Sequence, residues 1–206
     1  PSSDEDYIND ITHIKELGFN VSRKHIKIES LRWYYHCDRL GLIVWQDFVN
    51  GGSNYSFWTI STPLVTHIHL KDNKYKAFRR DNEKGRLEAE QEFKDTINLL
   101  YNSPSIALWT IFNEGWGQFD SKRIYDECIK LDNTRIYDHA SGWHDQGVSD
   151  TKSLHVYFQR VHMPLKRNVK NRAVILSECG GYSLFTKGHT YSDKLFGYKI
   201  LKNEEH

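Results

Sequence analysis

The sequence predicts an α/β fold and, within that class, an incomplete (β/α)8 TIM barrel. Helical and strand patterns alternate along the 206 residues, which is typical of a parallel sheet with helical crossovers. Six strand patterns are present, whereas a complete barrel has eight strands and usually takes about 250 residues. The first helix has no strand before it, and residues 182–206 show no clear strand. We therefore predict that strands two to seven of a barrel are present.

An open doubly wound sheet is the alternative architecture. It is less favoured because the sequence lacks the glycine-rich phosphate loop that often marks that class. The chain shows no internal repeat, low-complexity segment or interdomain linker. Residues 1–206 are therefore predicted to belong to one domain.

In the N-terminal half, isoleucines recur at helical spacing until Gly18 ends the first helix. Ser30 suits the N-cap of a second helix and Gly41 its end. The predicted elements are a helix over 4–17, a strand over 19–25, a helix over 30–40, a strand over 42–45 and a helix over 82–101. Residues 50–73 are predicted to form a long loop of Gly, Ser, Asn and aromatic residues. Such loops are usually functional or disordered, and this one would either shape a ligand subsite or remain a flexible surface loop.

In the C-terminal half, short apolar runs alternate with one amphipathic helix. The predicted elements are strands over 106–112, 135–139, 154–158 and 173–177, and a helix over 120–131. Ile124, Cys128 and Leu131 form the inner stripe of that helix.

Composition excludes several classes of protein. There are 28 Lys and Arg residues against 27 Asp and Glu, so nucleic acid is not an expected partner. The small basic cluster is predicted to be a solvated face, and it consists of Lys166, Arg167, Lys170 and Arg172. Three cysteines without CxxC spacing favour a reduced, metal-free protein without cofactors. No signal peptide or membrane-spanning run is seen, so no membrane partner is expected, and both a cytoplasmic and a secreted location stay open.

Two glutamates follow apolar runs that predict buried strands. Glu114 follows the run 106–112 and Asn113, and Glu178 follows the run 173–177. A retaining glycosidase needs two carboxyl groups about 5 to 5.5 Å apart, and barrel strands can present such a pair at their C-terminal ends. Glu114 would be the acid/base beside Asn113, and Glu178 would be the nucleophile, kept ionised by Arg23 and Tyr157. The abundant aromatic residues, with 6 Trp, 12 Tyr and 10 Phe, suit the C–H faces of sugar rings.

Several motifs, in order along the chain, resemble those of glycoside hydrolase family 2, the β-galactosidase, β-glucuronidase and β-mannosidase family. The run WTIFNEGWGQF over 109–119 resembles the family's acid/base signature, and ILSECGG over 175–181 its nucleophile strand. The run GFNVSRKH over 18–25 looks like the second barrel strand. The run WYYHCDRLGLIVWQD over 33–47 looks like the second helix and third strand.

The resemblance implies a retaining β-glycosidase of carbohydrate metabolism, β-galactosidase-like, that acts on a β-glycoside with Glu114 as acid/base and Glu178 as nucleophile. Asn113 would hold the sugar 2-hydroxyl, and Tyr157 would hydrogen-bond the nucleophile. The other substrate-binding residues that it implies are Arg23 and His25 in the glycone subsite, Asp47 against sugar hydroxyls, Trp116 as an aromatic wall, and His139 and Trp143 on the fifth-strand loop. Galactose, glucuronic acid and mannose all stay open as the sugar.

The sequence departs from the family pattern in three respects. Cys179 replaces the aromatic residue that commonly follows the nucleophile, and no Trp follows Trp143 where the eighth strand usually supplies one. The β-sandwich domains that members carry upstream are also absent. The chain is thus predicted to be a partial catalytic barrel, whose unpaired edge strands would favour self-association.

Two rival functions are kept. A non-catalytic carbohydrate-binding barrel remnant would use the same aromatic residues without requiring the glutamates. A metal-dependent hydrolase would need histidines to converge on zinc, and the candidates are His67, His69, His144, His155 and His162. These histidines are predicted instead to be exposed to water or to contact sugar, and no metal site is expected.

Overall fold

A computed structural model describes residues 2–54, 56–66, 68–158, 160–162, 169, 171–190, 192 and 194–203. Within these residues the helices are α1 (Asp4–Glu16), α2 (Leu31–Leu40), α3 (Phe57–Thr66), α4 (Glu83–Leu100) and α5 (Ser121–Leu131). The strands are β1 (Val21–Lys24), β2 (Ile43–Asp47), β3 (Ile106–Thr110), β4 (Ile136–Asp138), β5 (Thr151–Val156), β6 (Ala173–Cys179), β7 (Tyr182–Leu184) and β8 (Lys199–Leu201). No helix in these ranges is long and apolar enough to cross a membrane.

The first four strands form one parallel sheet in chain order, β1-β2-β3-β4, and β5 and β6 form a separate parallel pair. Asp150 joins β4 to β5, because its backbone N–H donates to the Tyr137 carbonyl at 3.2 Å while its carboxylate accepts from the Tyr137 N–H at 2.8 Å. Among the described residues the strands do not close into a barrel.

A cluster of buried aromatic rings packs α4 against the segments that follow β2 and β3. Phe48 stacks on Phe93 of α4 at 5.0 Å, Phe93 meets Phe112 edge-on at 5.7 Å, and Phe112 meets Phe119 at 5.5 Å. All four rings are at most 1% exposed. This packing fixes the chain on both sides of residues 113–117, where the acidic motif lies.

The helix ends follow local chemistry, with one difference from expectation. Ser3 and Asp6 form a capping box on α1, the Asn82 side chain accepts from the Gly85 N–H at the start of α4, and Gly41 ends α2 in the left-handed region with φ +69°. Ser30 occupies the N-cap position of α2, but its hydroxyl makes no cap bond and donates to the Tyr7 hydroxyl instead.

The structure corrects the expectation of a long loop over 50–73, because α3 lies within it. Pro63 inside this helix and its β-branched residues hide the helical pattern. The helix is fixed by His144, whose Nε2 lies 2.6 Å from the Thr59 carbonyl oxygen. Tyr55 and His67 of this segment lie outside the described residues.

The end of the chain also differs from expectation. Residues 182–206 were predicted to lack a strand, but β7 and β8 pair in parallel over Tyr182–Leu184 and Lys199–Leu201. Arg172 was predicted to lie on a solvated basic face, yet its side chain is 7% exposed and pairs with Asp145 at 2.7 Å. The other three residues of that cluster lie outside the described residues.

Candidate active site

A strained turn after β3 presents Glu114. Asn113 bridges to Ser141 in parallel, and the Glu114 N–H donates to the Ser141 carbonyl at 3.0 Å. Glu114 has φ +52°, a left-handed conformation that is rare for a residue with a side chain, and Gly115 and Gly117 follow at φ +68° and +71°. Such outliers persist only where surrounding contacts impose them, and they concentrate at functional sites.

Glu178 lies inside β6 rather than after its end, as its predicted strand had implied. Its carboxylate and that of Glu114 meet at the hydroxyl of Tyr157. That hydroxyl lies 2.8 Å from Glu114 Oε1 and contacts Glu178 Oε2 in a short hydrogen bond. One oxygen from each glutamate and one nitrogen of His155 lie within 4.8 Å of one another. The two acids, one after β3 and one on β6, therefore face one small volume.

Arg23, at the end of β1, holds three elements together at this point. Its Nη1 donates to Glu178 at 2.8 Å, its Nη2 donates to Asn113 Oδ1 at 2.9 Å, and it forms a two-point bond to Asp47 at 3.0 and 2.9 Å. Burial alone would lower the pKa of this guanidinium, but the Asp47 and Glu178 carboxylates raise it above its ordinary value. Arg23 therefore stays charged and fixes Glu178 relative to Asn113.

Asp47 occupies a different environment from the one that the sequence predicts. Its residue is 1% exposed, and both carboxylate oxygens accept from Arg23. Burial leaves little access for a sugar hydroxyl at either oxygen. This geometry suits a residue that orients Arg23 better than one that touches the sugar.

The surroundings of Glu178 favour its ionised form. Burial raises its pKa, but the charge of His155, the hydrogen bond from Tyr157 and the charge of Arg23 together outweigh burial and lower it below the ordinary value for a glutamate. The side chain of Glu178 keeps 26% exposure. An incoming molecule can therefore reach a carboxylate that is already charged.

Two predicted binding residues lie at the open side of the site. His25 has a half-exposed side chain, with Nε2 3.2 Å from Asn113 Nδ2 and 3.7 Å from Glu178 Oε1. Trp116, two residues after Glu114, is 36% exposed. Both side chains are accessible, and their contact with a sugar stays a prediction.

His139 and Trp143 lie beneath the site instead, at 1% and 5% exposure. The ring of His139 contacts the Ser149 hydroxyl at 2.8 Å and Asp145 at 3.2 Å. Trp143 packs edge-on near His155 at 6.2 Å between ring centroids. Both side chains are buried, and their contact with substrate stays a prediction.

Two residues of the site were missed from the sequence. His155 was expected to be exposed to water or to contact sugar, but its side chain is fully buried and its Nδ1 lies 2.9 Å from Glu114 Oε1. Residues two apart on a strand share a face, so its spacing from Tyr157 could have indicated it. Tyr198 stacks on Tyr157 at 4.0 Å between centroids, and no sequence signal connects it with the site.

Glu114, His155 and Glu178 are also the described residues that could together hold a metal ion. Their ligand atoms already have partners, because Arg23 and Tyr157 bond Glu178 while Tyr157 and His155 bond Glu114. His69, which follows α3, meets His144 of the β4–β5 loop edge-on at 6.4 Å between ring centroids, and His67 lies outside the described residues.

The parallel α/β fold brings two glutamates to one tyrosine. This arrangement defines a class of α/β proteins whose site contains a pair of carboxyl groups. Comparison with known families gives the same result. Residues 3–178 match the model of the glycosyl hydrolases family 2 TIM barrel domain, and the chain belongs to this family. The predicted resemblance is thereby confirmed.

The known relatives differ in the sugar that their names state. A β-galactosidase of Priestia megaterium (strain DSM 319 / IMG 1521) is 27% identical over 159 residues, which are 72% of this chain and 14% of that protein. Solved structures with a similar fold include a β-D-glucuronidase of Dictyoglomus thermophilum, with TM-score 0.65 and 15% identity over 96% of this chain and 36% of that one. Another is a family 2 β-galacturonidase of Eisenbergiella tayi bound to galacturonate, with TM-score 0.60 and 18% identity over 86% of this chain and 32% of that one.

Proposed function

We propose that this domain carries the catalytic centre of a retaining β-glycosidase, with Glu178 as nucleophile and Glu114 as acid/base. The observation that carries the proposal is the hydrogen bonding of both carboxyl groups to Tyr157, one oxygen of each lying within 4.8 Å of the other. Retaining enzymes place their two carboxyl groups about 5 to 5.5 Å apart, whereas inverting enzymes need roughly 6.5 to 9.5 Å to admit a water molecule. The shared phenol supports the shorter arrangement.

The two acids have unequal surroundings, which supports their division of roles. Glu178 faces the Arg23 guanidinium, and its pKa is lowered in spite of burial, as a nucleophile requires. A phenol has one proton to donate, and we assign it to Glu178, the carboxyl group whose pKa is lowered. In the contact between Tyr157 and Glu114, the proton then belongs to Glu114, whose carboxyl group donates to the phenol oxygen. A protonated Glu114 is the acid that the first step needs.

In the proposed reaction the Glu178 carboxylate attacks the anomeric carbon of the β-glycoside while Glu114 gives its proton to the departing oxygen. The glycosyl–Glu178 ester is then hydrolysed by a water molecule, whose proton passes to Glu114 as it attacks. Asn113, held by Arg23 at 2.9 Å, is within the site to bond the sugar 2-hydroxyl. His25 and Trp116 would contact the sugar from the open side.

The sugar itself is a further part of the proposal. The curated relative supports a β-galactosidase-like substrate, but this chain spans 14% of its length, and the structural relatives carry other sugar names. A panel of aryl β-glycosides with galactose, glucuronate, galacturonate and mannose as glycone decides among them.

The decisive test is to measure hydrolysis of this panel by the protein and by Glu178→Gln. We expect the variant to remain folded but to lose several orders of magnitude in kcat, because the amide cannot act as nucleophile. On an aryl glycoside whose leaving group needs no proton, Glu114→Gln should lose much less in kcat/KM, which reports the first step, whereas its kcat should fall because the base of the second step is lost. Glu127→Gln, an exposed glutamate on α5, is the matched control and should retain full activity.

The stereochemistry of the first product separates the mechanisms. Release of the β-anomer, followed by its slow mutarotation in NMR spectra, supports retention; initial release of the α-anomer contradicts it. A 2-deoxy-2-fluoro glycoside should label the peptide that contains Glu178. Binding of sugar without turnover would favour the carbohydrate-binding rival, and activity lost on chelation and restored by zinc would favour the metal-dependent rival.

A further inference from the structure

His155 is a buried third titratable group that contacts the glutamate pair. It lies on β5, with a side chain that is 0% exposed, and the space for its ring is made by Gly142. Gly142 has φ +84°, and a Cβ at this position would lie 2.4 Å from the imidazole. The backbone of the β4–β5 loop is thus shaped to seat this ring against the acids.

Each nitrogen of the ring has a distinct partner. Nδ1 lies 2.9 Å from Glu114 Oε1 and 3.4 Å from the Tyr157 hydroxyl, while Nε2 lies 3.0 Å from the Ser141 hydroxyl and 3.6 Å from Glu178 Oε1. A hydroxyl can donate a proton to Nε2 or accept one from it. Ser141 can therefore complete the bonding of the ring whenever Nδ1 carries the proton that faces Glu114.

We propose that His155 is a positioning residue of the acid/base, which donates its Nδ1–H to Glu114 Oε1 and thereby holds the carboxyl group in place. The inference rests on the proposed glycosidase function and assigns a role that the acid/base motif alone does not contain. The donor persists through both steps, because Oε1 can accept it whether Glu114 is protonated or ionised. The sugar does not touch His155, since the side chain is enclosed.

Charged and titratable groups from five other places in the fold face His155 and Glu114. They are Glu178 on β6, Arg23 on β1 with His25 after it, Asp138 on β4, Tyr157 after β5, and Tyr198 before β8. Replacing His155 leaves all of them present. The replacement also removes the His155 charge that lowers the pKa of Glu178, so the test uses the alkaline limb, which follows the acid, and compares the Phe variant with an Asn variant that restores only the donor.

The first measurement is the protonation of the ring itself, which needs no catalysis. Long-range ¹H–¹⁵N spectra distinguish a protonated from a bare imidazole nitrogen, and the His155 signals are assigned by their loss in His155→Asn. We expect Nδ1 of His155 to be protonated at the pH where the protein is active. A bare Nδ1 overturns the proposal, whether or not the protein hydrolyses a glycoside.

The second measurement is the pH dependence of kcat/KM on an aryl β-glycoside. We expect His155→Phe to lower kcat by about 10-fold to 100-fold with little change in KM. We also expect its alkaline limb to move to higher pH, because Glu114 keeps its proton longer without the donor. In His155→Asn, an amide N–H can take the place of Nδ1–H, so the limb should return toward that of the wild type.

A purely structural role predicts a different set of results. It would lower the unfolding midpoint and kcat without moving the alkaline limb, and an unmoved limb in a folded His155→Phe contradicts the proposal. His36→Asn, which replaces a buried histidine on α2 distant from β5, is the matched control and should leave the limb unchanged. If the wild type hydrolyses no glycoside and Glu178 is not labelled, the proposed function fails, while the Nδ1 measurement still decides the role of His155.

If His155→Phe does not fold, the Nδ1 measurement and the pH profile of His155→Asn decide the role of His155.

Discussion

At the residue scale, the site depends on buried charges that are paired with several partners at once. Arg23 has a 12% exposed side chain and bonds two carboxylates and one amide. Removing one partner of such a group leaves an uncompensated charge, which is costly in a low-dielectric interior. The arrangement ties β1, β2 and β6 to the turn after β3 through one side chain.

Asp132, in the turn between α5 and β4, gives a prediction about stability. Burial raises its pKa, but hydrogen bonds from Thr134, Trp109 and Arg135 outweigh burial and lower it from 3.8 to about 2. A carboxylate with a lowered pKa stabilises the folded state fully above its unfolded pKa, and that stability is lost as the pH falls through the folded value. We expect about 2 kcal/mol of unfolding free energy at neutral pH from this difference.

The measurement is urea unfolding of the wild type and Asp132→Asn from neutral pH down to about pH 2. The advantage of the wild type should be full above about pH 4 and should shrink as the pH approaches 2. Asp10→Asn, an exposed carboxylate on α1, is the control. An Asp132→Asn difference that does not change with pH would contradict the assigned cause.

At the element scale, α3 is held to the β4–β5 loop by one buried histidine. The Leu70 N–H donates to His144 Nδ1 at 3.0 Å, so the ring proton lies on Nε2, which faces the Thr59 carbonyl at 2.6 Å. Burial lowers the pKa of His144 to about 4, although the bond to Thr59 opposes this. A proton on Nδ1 would abolish the Leu70 bond and charge a buried ring.

This linkage predicts that the α3 segment loosens on mild acidification. With a folded pKa of about 4 against an ordinary 6.5, the neutral ring stabilises the fold fully above about pH 6.5. That stability falls by about 3 kcal/mol as the pH drops to about 4. Hydrogen exchange of residues 57–66, corrected for intrinsic pH dependence, should rise over this range while α4 stays protected. Equal loss of protection in α3 and α4 would contradict a local role for His144.

At the scale of the whole molecule, the open sheet leaves strand edges at both ends of the arc. Among the described strands, β1 pairs only with β2, and β6 only with β5. Val21 on β1 and Leu176 on β6 are 41% and 42% exposed. Unpaired edges with exposed apolar side chains readily pair with another chain.

We therefore predict that this chain self-associates in solution. Val21→Lys should reduce association in sedimentation velocity, because a charge on an edge strand opposes strand pairing. Leu99→Lys, which changes an exposed leucine on α4 away from both edges, is the control and should associate like the wild type. A monodisperse wild-type monomer would count against the prediction.

Some site residues and elements were predictable from the sequence, and others were not. Glu114, Asn113 and Glu178 were predicted because local runs mark them, and the six predicted strands correspond to β1–β6 with shifted ends. The helix α3 was not predicted, because Pro63 and β-branched residues conceal a helix that a distant histidine stabilises. The pair β7 and β8 was missed because each has only three residues.

The sequence by itself determined the alternation of helices and strands, the family and the two glutamates, since each depends on residues that are close together along the chain. Only the tertiary structure decided which side chains surround those acids. His155 is 41 residues from Glu114, and Arg23 is 155 residues from Glu178. The tertiary structure also pairs Asp47 with Arg23 and buries His139 and Trp143. Burial and hydrogen bonding between distant strands set these positions, and no local pattern in a single chain encodes them.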